Sequence, residues 1–120
     1  MATGLFAVER LADTLVVTPL ADLGEIEYHR DESEAGHVHG LMNDPSVKHL
    51  VLDFQRTTYF GSSALVFFVR LWTRVRTRNG RMAFCNLSPQ EQEILKLMKL
   101  DGLWLLCGSR DEALRRVGAS

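Results

Sequence analysis

From residue 47 onward, short apolar runs alternate with longer stretches whose apolar residues recur at helical spacing. That alternation constrains the fold more than any other feature of the chain. Strand, helix, strand, helix in that order builds βαβ units, and so a mainly parallel sheet with helices packed against it. Strands are expected at 47–54, 81–86 and 103–107. In the first, Leu50-Val51-Leu52 is apolar at consecutive positions, as suits a strand covered on both faces. The helix after Gly61 runs toward Arg78. At about 100° per residue, Leu65, Phe68, Val69, Leu71, Trp72 and Val75 fall on one broad face, which should be core. Asn79-Gly80 supplies its stop. Ser88-Pro89-Gln90-Glu91 reads as a capping box with proline at the first helical position, opening a helix from Pro89 to about Lys99. That helix should pack through Ile94, Leu95, Leu97 and Met98, and Asp101-Gly102 should end it. Ser109-Arg110-Asp111-Glu112 opens a last helix in the same way.

Upstream, residues 5–11 and 14–20 read as a strand pair joined at Ala12-Asp13, with Pro19 closing the second strand. The segment 21–43 is the least patterned. Its candidate apolar positions are Ile26, Tyr28, Val38, Leu41 and Met42, and a helix over 28–42 is expected even though Gly36 and Gly40 weaken it. Asn43-Asp44-Pro45 marks a turn. The chain has 120 residues, which suits one domain spanning 1–120. A net charge of −1 argues against a dedicated nucleic-acid binder, which would be basic. No apolar run approaches the roughly 18 residues of a membrane span, and no signal segment opens the chain, so a cytoplasmic location is expected. Cys85 and Cys107 lie in apolar runs and read as buried thiols rather than a disulfide.

The chemistry concentrates between the 47–54 strand and the helix after it, in Asp53-Phe54-Gln55-Arg56-Thr57-Thr58-Tyr59-Phe60-Gly61-Ser62-Ser63-Ala64-Leu65. Serine is a preferred N-cap, and a helix start also favours negative charge. Ser62 or Ser63 is therefore a hydroxyl placed where a phosphate is locally welcome. The helical arithmetic points Ser63, Val66, Phe67, Arg70 and Arg74 away from the core. Val66 and Phe67 are then either ordinary exposed apolar residues or a partner surface beside the serines. Arg70, Arg74 and Arg78 form a like-charge ladder, read as a solvated face balanced by the acidic segment 22–44 or as a contact for an acidic partner. Asp53 ends a strand at the carboxyl edge, where α/β sheets place their ligands, or it simply shapes the turn. Neither serine sits in a Gly-x-Ser-x-Gly elbow, and His49 stands at the far end of the strand, so catalysis by this chain is not expected. His29, His37, His39 and His49 make no convincing metal set and read as solvent-facing. No phosphate-cradling or dinucleotide motif is present, and no cofactor is implied.

A strand ending in aspartate, then a loop, then Ser-Ser opening a leucine-containing helix resembles the anti-sigma factor antagonist branch of STAS domains. The resemblance runs from the first strand to the last helix. It implies a STAS-like α/β single domain with a mainly parallel or mixed four- to five-stranded sheet. In that family the loop reads Asp-Ser-Ser-Gly-Leu or Asp-Ser-Thr-Gly-Leu, and the first hydroxyl is phosphorylated by the anti-sigma factor, a serine kinase. On this chain that hydroxyl is Ser62, with Gly61 where the family has an acid and Ala64 where it has glycine. The resemblance implies a protein partner, that kinase, met by Asp53, Gly61, Ser62, Ser63, Val66, Phe67, Arg70 and Arg74. A STAS scaffold or subunit domain that is never phosphorylated is the rival implication.

Overall fold

The computed structural model describes residues 4–23 and 34–118, with the backbone alone for 34 and 35. In chain order the elements are β1 Phe6–Leu11, β2 Thr14–Pro19, α1 Glu34–Leu41, β3 His49–Asp53, α2 Ser62–Thr77, β4 Met82–Cys85, α3 Pro89–Leu97, β5 Leu105–Cys107 and α4 Arg110–Val117. The strands lie in the order β1-β2-β3-β4-β5. β1 and β2 form an antiparallel hairpin, and every later pairing is parallel. The expected mixed, mainly parallel sheet is present.

Because side chains alternate across a strand, each strand feeds two interiors. Leu15 and Val17, Leu50 and Leu52, and Met82 and Phe84 face α1, α2 and α3. Val16, Val51, Ala83, Cys85 and Cys107 face α4 through Ala113 and Val117. The first interior is aromatic. Phe84 stacks on Trp104 at 4.6 Å and on Phe54 at 5.4 Å, and Phe68 meets Phe60 and Phe84 edge-on at 5.2 and 5.3 Å. Burying a ring of this size contributes about 2–3 kcal/mol, so this side anchors the start of α2. The second interior is built of small residues under one short helix. Both cysteines are buried there and unbridged, and burial, helped by the Asp53 charge, pushes the Cys85 thiol up to about 12.

Local chemistry sets the element ends. Asn79 takes the left-handed conformation after α2, with φ 57°. Gly80 follows because a Cβ there would run into the Lys48 carbonyl. Ser88 and Glu91 form the expected capping box of α3. At α4, Ser109 Oγ accepts from the Glu112 N–H at 3.1 Å, but the Glu112 carboxylate reaches back to the Gly108 N–H at 2.8 Å, one residue before the cap.

Several expectations fail for identifiable reasons. α3 ends at Leu97, before Asp101-Gly102, because Lys99 turns left-handed with φ 59°. Leu97 and Met98 stand in solvent instead of packing. Leu97 lies about 200° around the helix from buried Leu95, and Met98 is already the C-cap. Of the helix expected over 28–42, the described part is helical over Glu34–Leu41. Residues 28–33, His29 among them, lie outside the described residues. His49 is buried rather than solvent-facing. Its Nδ1 accepts from the Arg81 N–H at 2.9 Å, and burial holds its pKa below 6.5 despite Asp13 at 3.8 Å. His39 is half-buried and also held low, by burial and then by Arg74 and Arg70.

Candidate functional site

Residues 54–61 join the carboxyl end of β3 to α2, and they are fastened on three sides. Beneath, Phe54 and Phe60 are buried in the aromatic interior. From α3, Glu91 caps its own helix with Oε1 on the Ser88 N–H, while its Oε2 accepts from Thr57 Oγ1 at 2.6 Å. Ser88 Oγ donates to the Thr58 carbonyl at 2.7 Å. From the segment after β2, Asp22 Oδ1 accepts from the N–H groups of Thr58 and Tyr59 at 2.9 and 3.3 Å, and the Leu23 carbonyl accepts from the Gly61 N–H at 2.8 Å. The glycine therefore does not loosen the loop. Its φ of −94° and ψ of −176° are extended values open to any residue.

Asp53 is fully buried and so does not line a partner surface. Its Oδ1 accepts from the Gln55 N–H at 3.1 Å and from Asn86 Nδ2 at 2.9 Å. Its Oδ2 accepts from Gln55 Nε2 at 3.1 Å and from Arg110 Nε at 2.9 Å. The turn-shaping role holds, with an ion pair to α4 added. Arg110 also donates to Thr18 Oγ1 at 3.1 Å, so one guanidinium ties α4, β2 and the start of the loop together.

The serines are not caps. Gly61 is the N-cap and provides no side-chain bond, so Ser62 and Ser63 occupy the first two helical positions. Ser62 is exposed and Ser63 half-buried. No acid stands in the first turn of α2 to meet its N–H groups. On the outer face, Val66 one turn beyond Ser62 is 44% exposed, and Val69, Arg70 and Arg74 are exposed with it. Tyr59 adds a 41% exposed ring from the loop.

Phe67 corrects the expected surface. It is fully buried, 5.8 Å from Phe6 of β1, whereas Val69, expected in the core, faces water. The buried arc holds Ala64, Leu65, Phe67, Phe68, Leu71 and Val75. It is rotated by about 40° from the face drawn by periodicity alone. The cause is the β1–β2 hairpin together with Val38 of α1 and Met42 just after it, which extend the interior past one flank of α2. Arg78 leaves the arginine ladder as well, donating to the Val47 carbonyl at 2.9 Å. Thr57, Glu91, Asp22 and Arg110 were not legible as site residues. Only the capping box hinted at Glu91, and nothing in the sequence tied it to a residue 34 positions away. Among the described residues no acid, histidine and cysteine cluster could hold a metal, and no helix is long and apolar enough to cross a membrane.

A family model described as the STAS domain matches residues 7–113. Among solved structures, an anti-sigma-factor antagonist (STAS) domain protein from Planctomyces limnophilus is similar with a TM-score of 0.76 at 24% identity, over 93% of this chain and 97% of that one. The anti-sigma factor antagonist SpoIIAA in its unphosphorylated form gives 0.74 at 22% identity, over 93% and 95%. The Bacillus cell fate determinant SpoIIAA in its phosphorylated form gives 0.71 at 21%, over 93% and 98%. At these identities the likeness to solved structures is one of fold.

Proposed function

The chain belongs to the STAS domain family, and from that premise we propose that it is a partner-switching protein without catalysis of its own. In this reading it binds an anti-sigma factor serine kinase in the cytoplasm, thereby regulates a sigma factor, and loses that binding when Ser62 is phosphorylated. One observation carries the reading. Ser62 is exposed at the first position of α2, on a loop fastened from three sides, with exposed Val66 one turn away. A kinase can approach that hydroxyl without unfolding anything. Its Oγ attacks the γ-phosphorus of ATP, ADP leaves, and the hydroxyl proton passes to a base on the kinase. The phosphate then brings about −1.5 to −2 charges to the edge of the contact. The α2 N-terminus tolerates that charge, but an apolar patch closed around Val66 does not. A loss of ~3 kcal/mol in docking is a factor of more than a hundred in affinity.

Incubation with an anti-sigma factor serine kinase and ATP, followed by mass-spectrometric mapping, tests this. Phosphate is expected on Ser62, none on a Ser62→Ala variant, and loss of the complex once the site is filled. Phosphate that persists on Ser62→Ala moves the role to Ser63. Gly61, with no acid in the first turn, favours the rival reading of a scaffold or subunit domain that is never phosphorylated. A tight complex that survives ATP without modification supports that rival.

A further inference from the structure

The serine switch makes no use of the two cysteines, yet their placement is specific. Cys85 and Cys107 are the last residues of β4 and β5, and they are partners in the parallel ladder between those strands. Both side chains point into the small-residue interior under α4. Neighbouring strands lie about 4.8 Å apart, inside the range of roughly 4.4–6.8 Å that disulfides span between Cα atoms. The Cβ atoms must come slightly closer than a flat ladder holds them. β5 can give that much, being the last strand of the sheet and three residues long. The two thiols also differ in access. Cys85 is fully buried, whereas Cys107 is 8% exposed and stands in the wall of a cleft of about 250 Å³, beside Asn86, Gln92 and Gly108. Arg116 Nη1 donates to the Cys107 sulfur at 3.7 Å, a positive neighbour of the kind that supports a thiolate.

We infer that Cys85 and Cys107 close to a disulfide when the folded protein meets a peroxide, with Cys107 oxidised first and Cys85 completing the bridge. The Cys107 sulfur attacks one peroxide oxygen. An S–O bond forms, the O–O bond breaks, and the other oxygen leaves as water with the thiol proton. The Cys85 sulfur then attacks the Cys107 sulfur, so that S–S forms, S–O breaks and the hydroxide leaves as water with the Cys85 proton. Two thiols and one peroxide give one disulfide and two waters, and the two electrons lost by sulfur reduce the peroxide. Burial raises both thiols, with Arg116 opposing it at Cys107, so few thiolates form and the oxidation is slow. The same burial leaves the reduced pair without a stabilised thiolate, which is what makes a disulfide easy to reduce. The bridge is therefore slow to form and hard to undo. It closes residues 85–107 into a ring that contains α3, and with it Ser88 and Glu91, the residues that fasten the serine loop at Thr58 and Thr57. None of this depends on phosphate at Ser62.

The test treats the reduced full chain with hydrogen peroxide under native conditions, blocks the remaining thiols, and maps the product by intact mass and non-reducing peptide analysis. The monomer should lose two hydrogens and yield a linked Cys85–Cys107 peptide, and excess dithiothreitol should restore both thiols. The bridged form should melt at least about 5 °C higher, because the cross-link constrains the unfolded chain. Dimedone should label Cys107 in a Cys85→Ala variant and leave Cys85 unlabelled in Cys107→Ala. Arg116→Ala, at an exposed position, should slow oxidation of Cys107 at least about threefold. The wild-type mapping needs no variant, so a substitution that unfolds the chain leaves the decision intact. A bridge that forms only as fast as the chain unfolds in a urea series overturns the inference. So does a bridge between two chains, dimedone on Cys85 in place of Cys107, sulfinic acid on Cys107 beside a free Cys85, or two thiols untouched by peroxide.

Discussion

Val66 and Phe67 are neighbours on α2 with opposite fates, 44% exposed and fully buried. One flank of the helix carries the fold and the other faces water, and the border runs between two adjacent residues. The difference teaches that apolarity alone does not mark an interaction surface. What matters is whether the domain's own elements reach the side chain. Phe6 of β1 lies against Phe67, while no interior extends to Val66.

The largest test of that border is a pair of truncations. Phe67→Ala should cost about 3–5 kcal/mol of stability in urea unfolding, the range for emptying a buried aromatic site. Val66→Ala should stay within about 0.5 kcal/mol and act on partner affinity instead. Equal stability losses would erase the distinction between the flanks.

Next comes the contrast between the two polar fastenings of the loop. The Thr57–Glu91 bond is buried, and the Asp22 contacts are exposed. Thr57→Val keeps the shape but leaves a buried carboxylate oxygen without its donor, which should cost about 1–3 kcal/mol. Asp22→Asn, at the surface, should cost less than about 1 kcal/mol. Similar values for the two would mean that the surface clamp carries as much of the loop's order as the interior one.

Much of this was legible in advance. The βαβ order, the hairpin, the Ser88 capping box and the two-sided burial of β3 follow from local pattern, because period and capping chemistry act within a few residues. The position of the buried arc on α2 was not, since it depends on β1 and α1, far away in the sequence. The role of Asp53 was half legible. A turn aspartate is a local reading, but its ion pair with Arg110 spans 57 residues. His49 fails for the same reason, because the Arg81 N–H it accepts from and the Asp13 carboxylate beside it lie 32 and 36 positions away.

That buried histidine gives a graded effect at the opposite end of β3 from the serine loop. His49 Nδ1 must be unprotonated to accept from Arg81, and burial lowers its pKa from 6.5. The unfolded chain therefore takes up protons before the folded one does. Stability is fully present above pH 6.5 and falls as the pH drops through the folded value. His39 adds to the slope in the same direction. Chemical denaturation between pH 7.5 and 5 should show that decline, and His49→Asn, which retains an acceptor, should flatten it. A decline that is unchanged in the variant assigns it to His39 or to the carboxylates.

The smallest expected change in stability carries the sharpest functional meaning. Gly61 caps α2 with extended backbone angles and no side chain, and the first turn holds no acid. Gly61→Asp fits that backbone, adds a side-chain acceptor at the N-cap and places a negative charge at the positive end of the helix. The gain should be a few tenths of a kcal/mol from the cap, and up to about 1 kcal/mol with the dipole. A melt will barely register it. The same substitution restores the acid that the STAS resemblance places before the phosphorylated hydroxyl. If a kinase reads that carboxylate, the rate of Ser62 phosphorylation should rise while stability hardly moves. A rise in stability without a rise in rate would mean that the kinase recognises the outer flank of α2, with Val66 at its centre, rather than the residue before the serine.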